Sequence, residues 1–437
     1  METVDDSRLR GKITLRLVAP LALMFVMNSL DRVNVSFAAL QMNAQLHFSP
    51  ETYGLGASIF FFGYILLQAP HALSARWLGA RVWIFLTMLV WGLLACAMAF
   101  VHDRTQFFVL RFLLGCAEGG FAPGAMHYLA SWVPKRFRAW VTAGTMVAIP
   151  VSVVIGAPLS GWLLQIANPI GMAGWRWMFL IEGLPPVLLS VLALKIFVER
   201  PEDAGWLTPA EKTNLRRELD QDRAEAESVG GSKLVVALAN PRVWASMVVW
   251  FCILAGSYGL MFWLPQVIKE SFHGSELMVG VLSALPWLGI GTGMMVNAWH
   301  SDRTGERFWH LGVPAMLSAL CIAGAALISG APALLLLTLG GFFLGSAQGC
   351  FWPIPLRMLT GLGAAAGITF INMCGNSAGM VAPVAVGWVR AQTGSFQAPV
   401  FAMASLMLVA ALMMIPLSRL ARADQTVSLD QAMRPAE

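Results

Sequence analysis

Four ionisable residues, Asp31, Arg32, Arg111 and Glu118, fall inside stretches that are otherwise apolar and long enough to cross a bilayer. A charge at mid-membrane costs at least ~2.5–3.5 kcal/mol on insertion scales, so such residues usually face a protein-lined cavity and have a task there. Guanidinium offers a planar fork suited to bidentate pairing with a carboxylate, which makes arginine the natural receptor for an organic anion. A buried carboxylate beside that arginine is suited to taking a proton when the cation's compensation is diverted to a substrate. Arg111 and Glu118 are seven residues, about two helical turns, apart and project from nearly the same face. Asp31 and Arg32 are neighbours, about 100° apart on a helix, so they point different ways. Arg32 is therefore expected to face a central cavity and bind a substrate carboxylate, with Asp31 turned toward the fourth span near Arg111. The bland alternative is a static charge network that holds helices together.

Uncharged polar residues extend the candidate set. Tyr64 and Gln68 lie one turn apart in a second span, and Tyr258 has the same standing in a seventh. Asn372 and Asn376, also one turn apart, either bind substrate or bridge helices, since buried amides need partners. Asn28 and Asn34 flank the Asp31–Arg32 pair and read as helix bridges. His127 is half a turn out of phase with Glu118 and reads as structural, and His300 as loop polarity. Phe60, Phe61, Phe62, Phe262, Trp263 and Trp352 are candidate cavity walls, with Trp352 a candidate gate. The six cysteines lie in apolar segments without paired spacing and read as small fillers, so no metal site is expected.

These residues must be held by membrane helices. The chain is 57% hydrophobic and only 12% charged, against roughly 25% charge in soluble domains, with a mean hydropathy of +0.67. About twelve span-length segments are predicted, near 14–39, 51–74, 80–101, 105–132, 138–166 and 175–198, then 241–268, 276–299, 309–329, 333–357, 362–389 and 396–419. Residues 1–198 and 241–437 are expected as two six-helix bundles, joined by a linker at 199–240. In the linker, Thr208, Pro209 and Glu211 spell an N-cap, an N1 proline and a capping box, and Gly230-Gly231 the end of a surface helix.

Residues 112–123 (FLLGCAEGGFAP) align without gaps on 342–353 (FFLGSAQGCFWP), with Gln348 in place of Glu118. Six spans separate the two copies, so the halves are parallel repeats, and repeats of this kind place substrate near mid-membrane. Basic residues collect on one side: Arg8, Arg10, Lys12, Arg76, Arg81, Lys135, Arg136, Arg138, Arg303, Arg307, Arg357, Arg419 and Arg422. That side is expected to be cytoplasmic, with both termini on it. The net charge of +5 reflects these loops and not a nucleic-acid partner.

An ordered set of short motifs resembles the major facilitator superfamily, and within it the anion:cation symporters that move organic acids such as tartrate, phthalate, hydroxyphenylacetate and sugar acids. The set comprises Leu30-Asp31-Arg32-Val33-Asn34, Arg111…Glu118-Gly119…Pro123, Gly174-Trp175-Arg176-Trp177, Glu199 through Asp203, Tyr258 through Pro265, and Asn372…Gly375-Asn376. A loop motif, Ser301-Asp302-Arg303-Thr304-Gly305-Glu306-Arg307, adds Asp302, Arg303 and Arg307 as gating residues; in the first half only Arg76, Gly79 and Arg81 remain of it. The resemblance implies an all-α protein of twelve transmembrane helices in two parallel-repeat six-helix bundles around a central cavity. It places Glu118 near Arg32, pairs Asp31 with Arg111, and assigns Tyr64 to substrate. The expected function is proton-coupled import of an organic carboxylate across the inner membrane by a monomer. Arg32, Tyr64, Tyr258, Asn372, Asn376 and Gln348 would bind substrate, while Asp31, Arg111 and Glu118 would couple the proton, with no other cofactor. Proton-independent uniport or exchange, a non-transporting sensor and a membrane enzyme are the alternatives. No Gly-x-x-x-x-Gly-Lys-Ser/Thr loop supports ATP drive. The aromatic set leans toward a less polar acid, the amides toward a hydroxylated one.

Overall fold

The computed structural model describes residues 6–166, 171–228, 234–359 and 363–432. Gly230-Gly231, expected to end the linker helix, lie outside the described residues, as do the side chains of Arg76, Arg138 and Arg422. The described chain is helical throughout, without a strand. The first six spans are Asp6–Gln45, Pro50–Leu66 continued by Gln68–Leu78, Ala80–Phe100, Arg104–Trp132, Lys135–Leu163 and Gly174–Ile196. The last six are Pro241–Phe272, Glu276–Thr304, Phe308–Ala325, Ala331–Met358, Ala364–Asn376 continued by Ala378–Thr393, and Gln397–Ala432. Among the described residues, nine of these stretches are long and apolar enough to cross a membrane, the second, fifth and eleventh falling outside that count.

Local chemistry explains several of the starts. Ser49 caps the second span by accepting from the Thr52 amide at 3.1 Å, with Pro50 in the first turn. Asp103 caps the fourth, accepting from the amides of Thr105 and Gln106 at 2.8 and 2.9 Å. The linker helix, Pro209–Ser228, opens on the expected capping box: Thr208 N–H donates to Glu211 at 2.7 Å and Glu211 N–H to the Thr208 hydroxyl at 3.3 Å.

Four spans expected as continuous are interrupted. The second breaks at Leu67, the fourth at Gly119-Gly120, the tenth at 350–352 and the eleventh at Ser377. Hydropathy cannot register such breaks, because a membrane helix tolerates them wherever neighbours re-satisfy the backbone.

By proximity the chain divides into two compact units, Met1–Val229 with Phe262–Ala284, and Gly230–Met261 with Leu285–Glu437. Each contains the same glycine joint. In the first, a Cβ on Gly115, Gly119 or Gly63 would overlap the carbonyl oxygen of Phe60, Tyr64 or Phe112 respectively. In the second, Gly345, Gly349 and Gly293 meet the carbonyls of Ile290, Met294 and Phe342 in the same way. Every one of these six residues lies 230 positions beyond its counterpart, so the duplication read from the 112–123 and 342–353 segments is also a duplication of backbone-to-backbone packing.

In the first unit one end is tied together by charge. Lys12 reaches Glu211 at 2.8 Å, Arg136 contacts both Asp6 and Glu218, and the Lys135 amide donates to Asp222. At the same end Gly79 adopts φ +80°, which a side chain would resist, and opens the third span. Glu199 then caps that span by accepting from the amides of Ala80 and Arg81 at 2.8 and 3.2 Å. The reduced loop motif of the first half, Arg76, Gly79 and Arg81, is thus completed by a carboxylate from beyond the sixth span.

Candidate functional site

In the first unit the first, second and fourth spans bring Arg32, Glu118, Asn28, Tyr64 and Phe60 together. The Glu118 side chain is fully buried, and its Oε2 accepts from Arg32 Nε at 2.9 Å and from Asn28 Nδ2 at 3.0 Å. Its Oε1 is buried with no hydrogen-bond partner among the described residues. The Arg32 side chain is 18% exposed, so of the two it is the one a solute can reach. The guanidinium lies over the Tyr64 ring at 4.7 Å and the Phe60 ring at 5.9 Å. Tyr64 therefore meets Arg32 with its ring face, an interaction not foreseen from a hydroxyl at that position. Asn28 links the first span to the fourth, as a helix bridge should.

The expected partnership of Asp31 with Arg111 requires correction. Asp31, 1% exposed, accepts from Asn34 Nδ2 at 2.8 Å and from Trp91 Nε1 at 2.6 Å. Arg111, equally buried, donates from Nε to the Gly56 carbonyl at 3.3 Å and lies 4.5 Å over the Phe60 ring, leaving Nη2 buried without a hydrogen-bond partner among the described residues. The two charges act on each other through space and do not touch. The reason is geometric: Asn34 is one turn along the same helix and the third-span indole reaches across, so the Asp31 oxygens are taken. Asn34 thus bonds Asp31 within its own helix and also acts on Glu182 of the sixth span.

A further carboxylate, Glu182 in the sixth span, was not singled out. It is 4% exposed, accepts from Ser160 Oγ of the fifth span at 2.7 Å, and its Oε2 is buried without a hydrogen-bond partner among the described residues. It senses both Asp31 and Asn34. The cost argument that flagged Glu118 applies unchanged to Ile181-Glu182-Gly183, so the signal was present in the sequence.

The second unit holds the uncharged counterpart. Tyr258 Oη donates to Asn376 Oδ1 at 3.2 Å, and Asn376 Nδ2 donates to the Asn372 carbonyl at 2.9 Å and to its Oδ1 at 3.3 Å. Gln348 is half-buried and makes no side-chain hydrogen bond among the described residues. Trp352 packs edge-on against Trp250 and Phe351. In the loop motif, Arg307 bonds Asp302 at 2.5 Å and the Ser301 hydroxyl at 2.9 Å, while Arg303 stacks on Trp299 at 4.0 Å. His300 is more than loop polarity: its Nδ1 lies 2.7 Å from His310 Nε2, and His310 Nδ1 2.8 Å from Glu306. Of the aromatic candidates, Phe61 packs edge-on against Phe262, whereas Phe62 is exposed beside Phe112.

All four helix interruptions adjoin candidate residues: Leu67 lies between Tyr64 and Gln68, Gly119 follows Glu118, residues 350–352 follow Gln348 and include Trp352, and Ser377 follows Asn376. A broken membrane helix frees backbone groups only where they line a cavity or are buried in protein. Discontinuous helices of this kind form the substrate and ion sites of secondary transporters.

Comparison with known proteins agrees with this architecture. The family described as Major Facilitator Superfamily matches residues 21–337 and 251–433. A candidate tartrate transporter of Agrobacterium vitis is 43% identical over 420 residues, covering 95% of this chain and 96% of its own. NicT, a candidate metabolite transport protein of Pseudomonas putida, is 36% identical over 415 residues, covering 94% of each. Among solved structures, a D-xylose–proton symporter superposes with a TM-score of 0.71 at 15% identity, over 92% of this chain and 97% of that one, a likeness of fold alone.

Proposed function

This chain belongs to the major facilitator superfamily, and from that membership we propose that it imports an organic carboxylate together with protons. It is a multi-pass membrane transporter and not an enzyme. The observation that carries the finer reading is the Arg32–Glu118 contact: a partly exposed guanidinium shares a wholly buried carboxylate whose second oxygen has no hydrogen-bond partner among the described residues. An incoming carboxylate competes with Glu118 for Arg32, and Glu118, stripped of its counter-charge in a low-dielectric interior, takes a proton. Anion and proton then travel together, and each proton taken offsets one negative charge of the substrate.

Asp31 and Arg111 form the supporting charges in this scheme, and Tyr64 holds the guanidinium from below. Tyr258, Asn372 and Asn376 offer hydroxyl and amide groups to an oxygen-rich substrate, as Gln348 does. With the tartrate assignment borne by the Agrobacterium relatives, this favours a hydroxylated dicarboxylate over an aromatic acid. Asp302, Arg303, Arg307 and Trp352 are assigned to gating. We place the protein in the inner membrane as a monomer with both termini cytoplasmic, its bundles at 1–198 and 241–437 and its linker at 199–240.

The test is uptake by purified protein in liposomes that hold a pH gradient, acid outside. Radiolabelled tartrate should accumulate above its equilibrium level and leak out again when a protonophore is added. Accumulation that ignores the protonophore would leave a proton-independent carrier, and no movement of any acid tested would leave a sensor.

A further inference from the structure

A cavity of about 860 Å³ opens in the second unit between the ninth span, the end of the tenth and the twelfth. Its rim carries Arg307, Arg357 and Arg419. Against these three cations the lining has one carboxylate, Glu306, whose oxygens already accept from the amides of Trp309 and His310. Arg357 and Arg419 are exposed and have no carboxylate within ion-pair distance among the described residues. Arg307 is held by Ser301 and Asp302 through its two terminal nitrogens, yet its Nε is buried with no hydrogen-bond partner among the described residues.

Below the rim the walls are apolar, with Met316 on the ninth span and Ile354 on the tenth. They continue into Val313, Leu412 and Ile415, which are 45%, 49% and 51% exposed on faces that a membrane helix presents to lipid. Trp309, 68% exposed, stands at the mouth as interfacial tryptophans do. A cationic rim at the end of the helices above an apolar trough open to the bilayer matches an amphiphile with an anionic head. Basic pockets between membrane helices recognise acidic lipid headgroups by this pairing of charge and depth.

We propose that this cavity binds an anionic phospholipid, its phosphate against Arg357 and Arg419 and its acyl chain along the trough walled by Val313, Met316, Leu412 and Ile415. Arg307 closes the site from inside and, held by Asp302, fixes the mouth of the ninth span. The lipid would then brace the loop motif between the eighth and ninth spans.

The experiment uses the full-length protein in detergent, titrated with phosphatidylglycerol, phosphatidylcholine or inorganic phosphate, with bound adducts counted by native mass spectrometry. Phosphatidylglycerol should be retained well above phosphatidylcholine. Each of Arg357→Gln and Arg419→Gln should weaken it about fivefold, and the double variant on the order of 25-fold. The double replacement Arg357→Lys and Arg419→Lys, which keeps charge, should retain the lipid and shows that loss in the Gln variants is not misfolding. Equal retention of the two lipids, or unchanged retention in the double Gln variant, would overturn the assignment. Inorganic phosphate held as tightly as phosphatidylglycerol would overturn it too, since the occupant would then be a soluble anion.

Discussion

Replacing Glu118 by Gln separates the two roles that the Arg32–Glu118 contact combines. In the native protein two donors converge on Oε2, Arg32 Nε at 2.9 Å and Asn28 Nδ2 at 3.0 Å. A glutamine carbonyl oxygen placed there accepts from both, so the packing is preserved, but the arginine bond is no longer charge-assisted. Bonds to charged groups contribute roughly 1.5–3 kcal/mol and neutral ones roughly 0.5–1.5, so the substrate's competitor for Arg32 weakens by about 1–1.5 kcal/mol. Since 1.4 kcal/mol is tenfold in an equilibrium constant, substrate binding should tighten by up to about tenfold. The same variant has no titrating group at 118. Uphill accumulation in a pH gradient should vanish, exchange of labelled for unlabelled substrate should persist, and the exchange KM should fall and lose its pH dependence. Counterflow in liposomes reads all three quantities. Wild-type accumulation by Glu118→Gln would refute the proton assignment, and weakened binding would refute the competition on which it rests.

Three further outcomes follow from other parts of the structure. Tyr64→Phe should leave substrate KM within about twofold, because Arg32 sits on the ring, whereas Tyr64→Leu should raise it severalfold through loss of a cation–π contact of about 0.5–2 kcal/mol; the reverse ranking would restore the hydroxyl as the functional group. Gly115→Ala and its repeat partner Gly345→Ala force a methyl into a neighbouring carbonyl and should each cost about 1–3 kcal/mol or more. Gly256→Ala, whose methyl would meet side chains of Met407 and Leu344 no nearer than 3.4 Å, should be silent in a thermal-unfolding comparison. Burial pushes the Glu306 carboxyl up, but the Trp309 amide together with the His310 side chain and amide outweighs it and holds the group below the ordinary carboxylate range. A depressed carboxylate stabilises the fold above its unfolded titration and loses that contribution as pH falls through its folded one. Glu306→Gln should therefore lower the unfolding temperature at neutral pH and converge with wild type in acid; a difference that grows in acid would reverse the sign.

Periodicity and cost arguments were sufficient to find the helices, the duplication and the capping box at Thr208, and to flag Arg32, Arg111 and Glu118 as ionisable residues within membrane helices. What they could not supply was partnership. Asp31 was expected at Arg111 because opposite charges attract, but partners for its oxygens were available nearer, in Asn34 and the Trp91 indole. The sequence offers no measure of which neighbour arrives first. Tyr64 was read by its hydroxyl because that is its distinguishing atom, whereas the ring geometry depends on how the Gly115 and Gly119 joint sets the second span against the fourth. Glu182 is a different kind of miss, since nothing about it was hidden.

The repeat explains why the charges sit in one unit while the joint exists in both. Gly115, Gly119 and Gly63 fix where two helices touch, and their partners 230 residues later do the same, so both copies retain the constraint that packing imposes. The candidate site positions carry no such constraint. Glu118 becomes Gln348, Arg111 becomes Gly341, Arg32 becomes Phe262 and Asn28 becomes Tyr258 at the same displacement. Each substitution removes a charge or keeps a neutral polar group, and a second titrating carboxylate and a second buried arginine would each add several kcal/mol of desolvation cost. In the proposed scheme one charged copy is enough to capture an anion and a proton, and the hydroxyl and amide groups of the neutral copy, Tyr258, Asn372 and Asn376, need no counter-ion. On this argument, moving Glu118 to its repeat position, by Glu118→Gln with Gln348→Glu, should not restore proton-driven uptake. The residue 230 positions beyond Arg32 is Phe262 and not an arginine, so the relocated carboxylate would lack the repeat counterpart of the cation that Glu118 pairs with. Restored accumulation in that double variant, measured beside Glu118→Gln alone, would mean that coupling needs only a buried carboxylate and not the competition for Arg32.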